Sequence, residues 1–99
     1  MPSQVIEVDP RELHVPPSRL SGADPYKLNR QIARIGASTV GMPQPWVYEG
    51  SDKALMLYNG VTRATRIAKL APGVQIEVLV VGTVRDPVSH LPKIKDFLP

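Results

Sequence analysis

Apolar and polar positions along the chain change rhythm five times, and each change marks an element. Gln4-Val5-Ile6-Glu7-Val8 alternates loosely and is rich in β-branched residues, which predicts a strand. Asp9-Pro10 ends it, and Arg11-Glu12-Leu13 fits a single helical turn behind Asp9. Residues 15–19 (Val-Pro-Pro-Ser-Arg) are expected to be extended, because proline biases its predecessor away from the helical region. Asp24-Pro25 then predicts a helix start: Asp24 can cap, and Pro25 fits the first helical position. The helix is expected to run to about Ile35 and stop at Gly36. Leu28, Ile32 and Ile35 fall at helical spacing and should face the core, with Tyr26 in the first turn. Lys27, Arg30 and Arg34 form a basic stripe elsewhere on the helix, read as a solvated face with a binding face as the alternative.

Residues 37–42 read as loop, and Pro43-Gln44-Pro45 excludes regular structure. Residues 46–49 and 54–58 read as an antiparallel hairpin around the turn cluster Gly50-Ser51-Asp52-Lys53, and the second strand delivers the chain to Gly60. A second helix is predicted from about Thr62 to Leu70. Ala64, Ile67, Ala68 and Ala71 form its buried face, while Arg63, Arg66 and Lys69 line another. Pro72-Gly73 ends it. Residues 75–81 are the strongest strand, apolar enough at its end for burial on both sides, and Gly82 closes it. From Thr83 the pattern weakens to coil packed on the domain, with a short turn near residues 93–98. The order is β, helix, hairpin, helix, β. That predicts an α+β fold, a small mixed sheet with helices packed against it. One domain over residues 1–99 is expected, its core at about 4–82 and a C-terminal extension at 83–99.

Composition narrows the chemistry. In 99 residues there are eleven prolines, no cysteine and a net charge of +3. Thiol catalysis, thiolate metal sites and disulfides are excluded. The missing cysteine fits a reducing compartment, and the expected location is cytoplasmic, with delivery by a larger secreted protein left open. No apolar run approaches the length of about 18 residues that a membrane span needs, so no membrane association is expected. The mild excess of positive charge permits a nucleotide or nucleic-acid partner. His14 and His90 stand in no ligand-spaced motif; both read as surface or loop histidines, and no metal site is expected.

The candidate site is the junction Tyr58-Asn59-Gly60-Val61-Thr62-Arg63-Ala64-Thr65-Arg66. A strand enters a glycine turn and a helix begins at once. The first amides of a helix have no internal partners, and the dipole makes that end positive. Thr62 adds a hydroxyl, and Arg63 and Arg66 add cations on neighbouring positions of one helical face. The pattern suits a phosphate group. Trp46, Tyr48 and Tyr58 cluster on the hairpin, either as sheet packing or as a surface for a base.

Three segments, in order, resemble the ParB N-terminal domain, whose fold is shared with sulfiredoxin. Arg19 follows a proline-rich segment after the first strand. Gly41-Met42-Pro43-Gln44-Pro45-Trp46-Val47 resembles the ParB G-x-x-Q-P-I-x-V segment. Gly60-Val61-Thr62-Arg63, with Ala68 and Ile76-Glu77-Val78, resembles G-E-R-R … A … I-P-V. The likeness covers about residues 4–82. It implies a nucleoside triphosphate pocket lined by Gly60, Thr62 and Arg63, with Gln44 nearby and magnesium accompanying the nucleotide. Asn59 and Arg66 join the candidate set from the strand-turn-helix junction itself. Val61 stands where ParB has glutamate and sulfiredoxin its cysteine, so sulfiredoxin chemistry is excluded. The second ParB nucleotide motif and a helix-turn-helix reader are not found within these residues.

Three functions follow as expectations. The first is a module that binds a nucleotide or nucleic-acid phosphate. The second is a small nuclease or phosphotransferase, suited to the toxin domain of a secreted effector, with Glu7, Glu12 or Asp24 as base. The third is a retained fold with an empty pocket that binds a protein on its basic helix faces.

Overall fold

The computed structural model describes residues 4–98, so the outermost ends of the expected 1–99 domain lie outside the described residues. Four strands, β1 (Gln4–Val8), β2 (Trp46–Glu49), β3 (Leu55–Asn59) and β4 (Ile76–Thr83), form one sheet in the order β1-β4-β2-β3. β1 runs antiparallel to β4, with Ile6 opposite Val78. β4 runs parallel to β2, and β2 returns antiparallel along β3, with Val47 opposite Leu57. The sheet is therefore mixed and the fold is α+β. Two helices accompany it, α1 (Pro25–Ile35) and α2 (Val61–Leu70). Short 3-10 turns cover Pro10–Glu12, Pro17–Arg19 and Ile94–Phe97.

Strand alternation sends one set of side chains toward α2. Val47, Leu57, Ile76 and Val78 meet Val61, Ala64, Ile67 and Ala68 in a single core. Small alanines on α2 let the helix lie close on the sheet, as the spacing predicts. α1 packs on α2, one layer out. That position gives it one apolar neighbour, so Leu28 is buried but Ile35 is not, contrary to the expected three-residue core face. The predicted start and stop of α1 hold: the Asp24 carboxylate accepts from the Tyr26 amide at 2.9 Å, and Gly36 takes φ 56° at the end.

Two strand and loop expectations change. Residues 17–19 form a 3-10 turn rather than extended chain, since Pro17 occupies the first turn position, where its missing N–H is not needed. β4 continues through Gly82 to Thr83, and its apolar end is half-buried instead of covered on both sides, because the helices lie on only one face of the sheet. Gly82 serves packing within the strand: an added Cβ would sit 3.0 Å from the Tyr48 ring.

The C-terminal segment is fastened to the domain at several points. Val88 and Ile94 are buried, and the Ile94 amide donates to the Leu13 carbonyl. Asp52 accepts from the amides of Val88 and Ser89, and Glu12 pairs with Lys93 at 2.8 Å and Lys95 at 3.1 Å. His14 is buried, against the expectation of a surface or loop histidine. Its backbone bonds to Leu55 and Leu57, covering the outer edge of β3. Its Nδ1–H donates to the Leu91 carbonyl at 2.8 Å, the tautomer being fixed by an oxygen that only accepts. Among the described residues no helix is long and apolar enough to cross a membrane.

Candidate phosphate site at the start of the second helix

β3 ends at Asn59, and Gly60 turns the chain directly into α2. Gly60 has φ 101°, in the left-handed region. A Cβ there would come within 2.8 Å of the Pro45 side chain, so both conformation and space require glycine. Gly60 also brings no side chain to cap the helix. The first bond of α2 runs from the Ala64 amide to the Gly60 carbonyl at 2.9 Å. The amides of Val61, Thr62 and Arg63 precede it and are left without intrahelical partners.

In front of these amides is an open hollow of about 330 Å³. Gly60, Thr62 and Arg63 form one wall, and Ser18 and Arg19 from the 3-10 turn form another. Gln31 of α1, Tyr58 and Asn59 line it as well. The lining thus carries two guanidinium groups and three hydroxyls, those of Ser18, Thr62 and Tyr58, and no carboxylate or histidine. Arg63 is steadied at one end only: its Nη2 donates to the Asn59 carboxamide oxygen at 3.2 Å, while its Nε is buried with no partner. Burial lowers the pKa of the Arg63 guanidinium, which raises the energy of its charge without removing it. A cation in this condition gains from an anion, since none of the residues around the hollow neutralises it.

Of the residues expected from sequence, Asn59, Gly60, Thr62 and Arg63 are brought together here. Arg66 is not. It is fully buried, and its Nη1 donates to the carbonyls of Gly36 at 2.6 Å and Ser38 at 2.8 Å. Its Nη2 lies 3.3 Å from the Met42 sulfur. The basic face expected for Arg63, Arg66 and Lys69 is divided: Arg66 is buried and Lys69 exposed, while Arg63 and Arg66 both line a second hollow of about 470 Å³ with Arg34, Ser38 and Met42. Arg66 instead holds the end of α1, where the helix dipole is negative and carbonyls lack internal partners.

Gln44 is also elsewhere. It lines a separate hollow of about 170 Å³ with Glu7 and Glu77, and donates to Glu77 at 3.4 Å. Adjacent residues of an extended chain point to opposite sides, and Pro45 is the one that faces Gly60.

The three candidate bases also lie outside the lining of the hollow. Glu12 is held by Lys93 and Lys95, which lower its pKa; Asp24 caps α1; Glu7 lies opposite Glu77 on the sheet. Sequence reading missed Ser18, Arg19 and Gln31 as wall residues. Arg19 carried a signal, its place in the ParB-like pattern; Ser18 and Gln31 carried none. Among the described residues no group of three or more metal-ligating side chains is gathered. No protein-family model, curated protein or solved structure matches this chain.

Proposed function

We propose that the hollow ahead of α2 binds the phosphate groups of a nucleotide or of nucleic acid. The observation that carries this reading is the convergence of Arg19, Arg63 and the unpaired first amides of α2 on one hollow with no carboxylate in its wall. Its volume lies at the lower end of the range for ligand pockets, about 300–1,000 Å³. The likeness of Gly60-Val61-Thr62-Arg63 to the ParB turn supports the same ligand class. Magnesium would enter as the companion of a triphosphate, held by phosphate oxygens, since the wall supplies no oxyanion ligand of its own.

A binding module is favoured over a nuclease or phosphotransferase for a stated reason. A general base must lie within hydrogen-bond reach of the nucleophile, and none of Glu7, Glu12 and Asp24 lines the hollow.

The test is a melting screen against nucleoside triphosphates, their diphosphates and short oligonucleotides, with and without magnesium. A ligand present at one hundred times its Kd stabilises the folded chain by about 2.7 kcal/mol. That corresponds to a rise of about 10–20 °C for a domain of this size. The rise should vanish in Arg63→Ala and shrink in Arg19→Ala. If no phosphate compound moves the melting temperature, the reading is wrong.

A further inference from the structure

The face of the sheet turned away from α2 carries an aromatic surface that runs into the hollow. Trp46 and Tyr48 flank the buried Val47 in sequence and emerge on this outer face. Tyr58 follows the buried Leu57 and emerges beside them. The β2–β3 register slips here: Val47 is opposite Leu57, whereas Trp46 is opposite Asn59, so Tyr58 is the additional residue of a bulge. Bulges re-aim side chains, and this one brings the Tyr58 and Trp46 rings to 6.4 Å with planes only 10° apart. Tyr48 meets Tyr58 edge-on at 5.4 Å. Trp46 remains 43 % exposed and Tyr58 57 %, so both keep ring surface in solvent. Tyr58 belongs to the rim of the hollow as well, and its neighbour Asn59 holds Arg63.

Charge limits what can lie on this face. Glu7 and Glu77 stand opposite each other at the β1–β4 end, and both are exposed. The Arg19–Arg63 hollow marks the other end. A polyanion is admitted at the aromatic end and repelled at the acidic one.

We infer that Trp46 and Tyr58 form a stacking platform for the unpaired bases of a short single-stranded nucleic acid whose phosphate is seated in the Arg19–Arg63 hollow. This rests on the phosphate reading and names its ligand class. A duplex keeps its base faces covered and offers nothing to the rings. A mononucleotide can engage only the ring nearest its phosphate. A single strand presents a π-face on successive residues and carries the charge that the hollow takes. The ring pair is sequence-tolerant, because every base has such a face.

Trp46 is the sole tryptophan, so its fluorescence reports the platform directly. The experiment titrates the intact protein with thymidine oligonucleotides of two, four and six residues. Thymidine triphosphate and a duplex of matched length serve as comparisons. The expected result is saturable quenching by the oligonucleotides, with tighter binding as length grows from two to four, and no quenching by the duplex. Tyr58→Leu and Trp46→Leu, the latter followed by anisotropy of a labelled strand, should each weaken binding about tenfold to a hundredfold. Trp46→Leu should leave the melting shift caused by the triphosphate unchanged. Should either variant fail to fold, protection of Trp46 from acrylamide by the four-residue strand in the unaltered protein answers the same question.

Oligonucleotides that leave Trp46 unquenched while the triphosphate still shifts melting would overturn the platform and spare the phosphate site. Equal affinity for duplex and single strand would also overturn it. So would a sedimenting dimer with Trp46 shielded, which would give the aromatic face to a second copy of the chain. Loss of the triphosphate shift itself would bring down the phosphate reading first.

Discussion

Arg63 and Arg66 are the same residue type, three positions apart on one short helix, and the structure gives them different surroundings. Replacing each in turn should therefore separate stability from binding. Arg66→Ala removes two charge-assisted hydrogen bonds, to the Gly36 and Ser38 carbonyls. Such bonds contribute about 1.5–3 kcal/mol each, or about 3–6 kcal/mol for the pair. Two effects reduce the loss. Residues 36–42 are close enough to the surface for water to reach the released carbonyls, and the variant no longer buries a cation that has no carboxylate partner. A net destabilisation of about 2–4 kcal/mol follows, which lowers the melting temperature by roughly 10–25 °C. Arg66→Lys should recover only part of it, since an ammonium cannot reproduce the planar fork that reaches both carbonyls. Arg63→Ala removes one hydrogen bond, to Asn59, and relieves a partly buried charge, so its stability should change by under about 1 kcal/mol. Phosphate affinity should follow the reverse order: intact in folded Arg66→Lys, lost in Arg63→Ala. The assays are urea unfolding for stability and calorimetry with a triphosphate for binding. An Arg66→Ala protein that melts like the original but binds no ligand would refute the division of labour.

Other consequences can be checked with the same measurements. Gly60→Ala forces a side chain into the left-handed region and against Pro45, so urea unfolding should show a loss of about 1–3 kcal/mol. The hydroxyl and amide of Ser89, followed by the amides of Val88 and Ala54, hold the Asp52 carboxyl well below the usual carboxylate range. A depressed carboxyl stabilises the fold above its unfolded pKa, about 4, and that contribution is lost as pH falls further. Asp52→Asn should therefore lower the unfolding midpoint at pH 7, and its curve should converge with that of the original protein towards pH 2; parallel curves would assign the stability elsewhere. Binding of inorganic pyrophosphate should weaken as salt rises, because Arg19 and Arg63 face an open hollow; an affinity insensitive to salt would argue against a charge-led site.

The α+β class was legible because its signals are local. Asp24-Pro25 and Gly36 bracket α1, and Pro72-Gly73 follows α2, because caps and breakers act on their own backbone. Gly60 was legible for the same reason: a strand, a glycine and a helix in sequence define the turn wherever the domain places it. Burial depends on neighbours, and there the sequence misled. Ile35 has the spacing of a core residue but sits on an outer helix. His14 looked like a loop residue but covers a strand edge and bonds to Leu91, far along the chain.

The sequence by itself determined where the elements start and stop, the glycine junction and the excess of cations. Only the tertiary structure decided what surrounds each cation. Helical spacing sets Arg63 and Arg66 a fixed angle apart, but says nothing of what stands opposite each. The segment after α1 takes up the Arg66 guanidinium through the Gly36 and Ser38 carbonyls, while the turn bearing Ser18 and Arg19 shares a hollow with Arg63. That difference arises from contacts between residues distant in the chain, which local propensity does not encode.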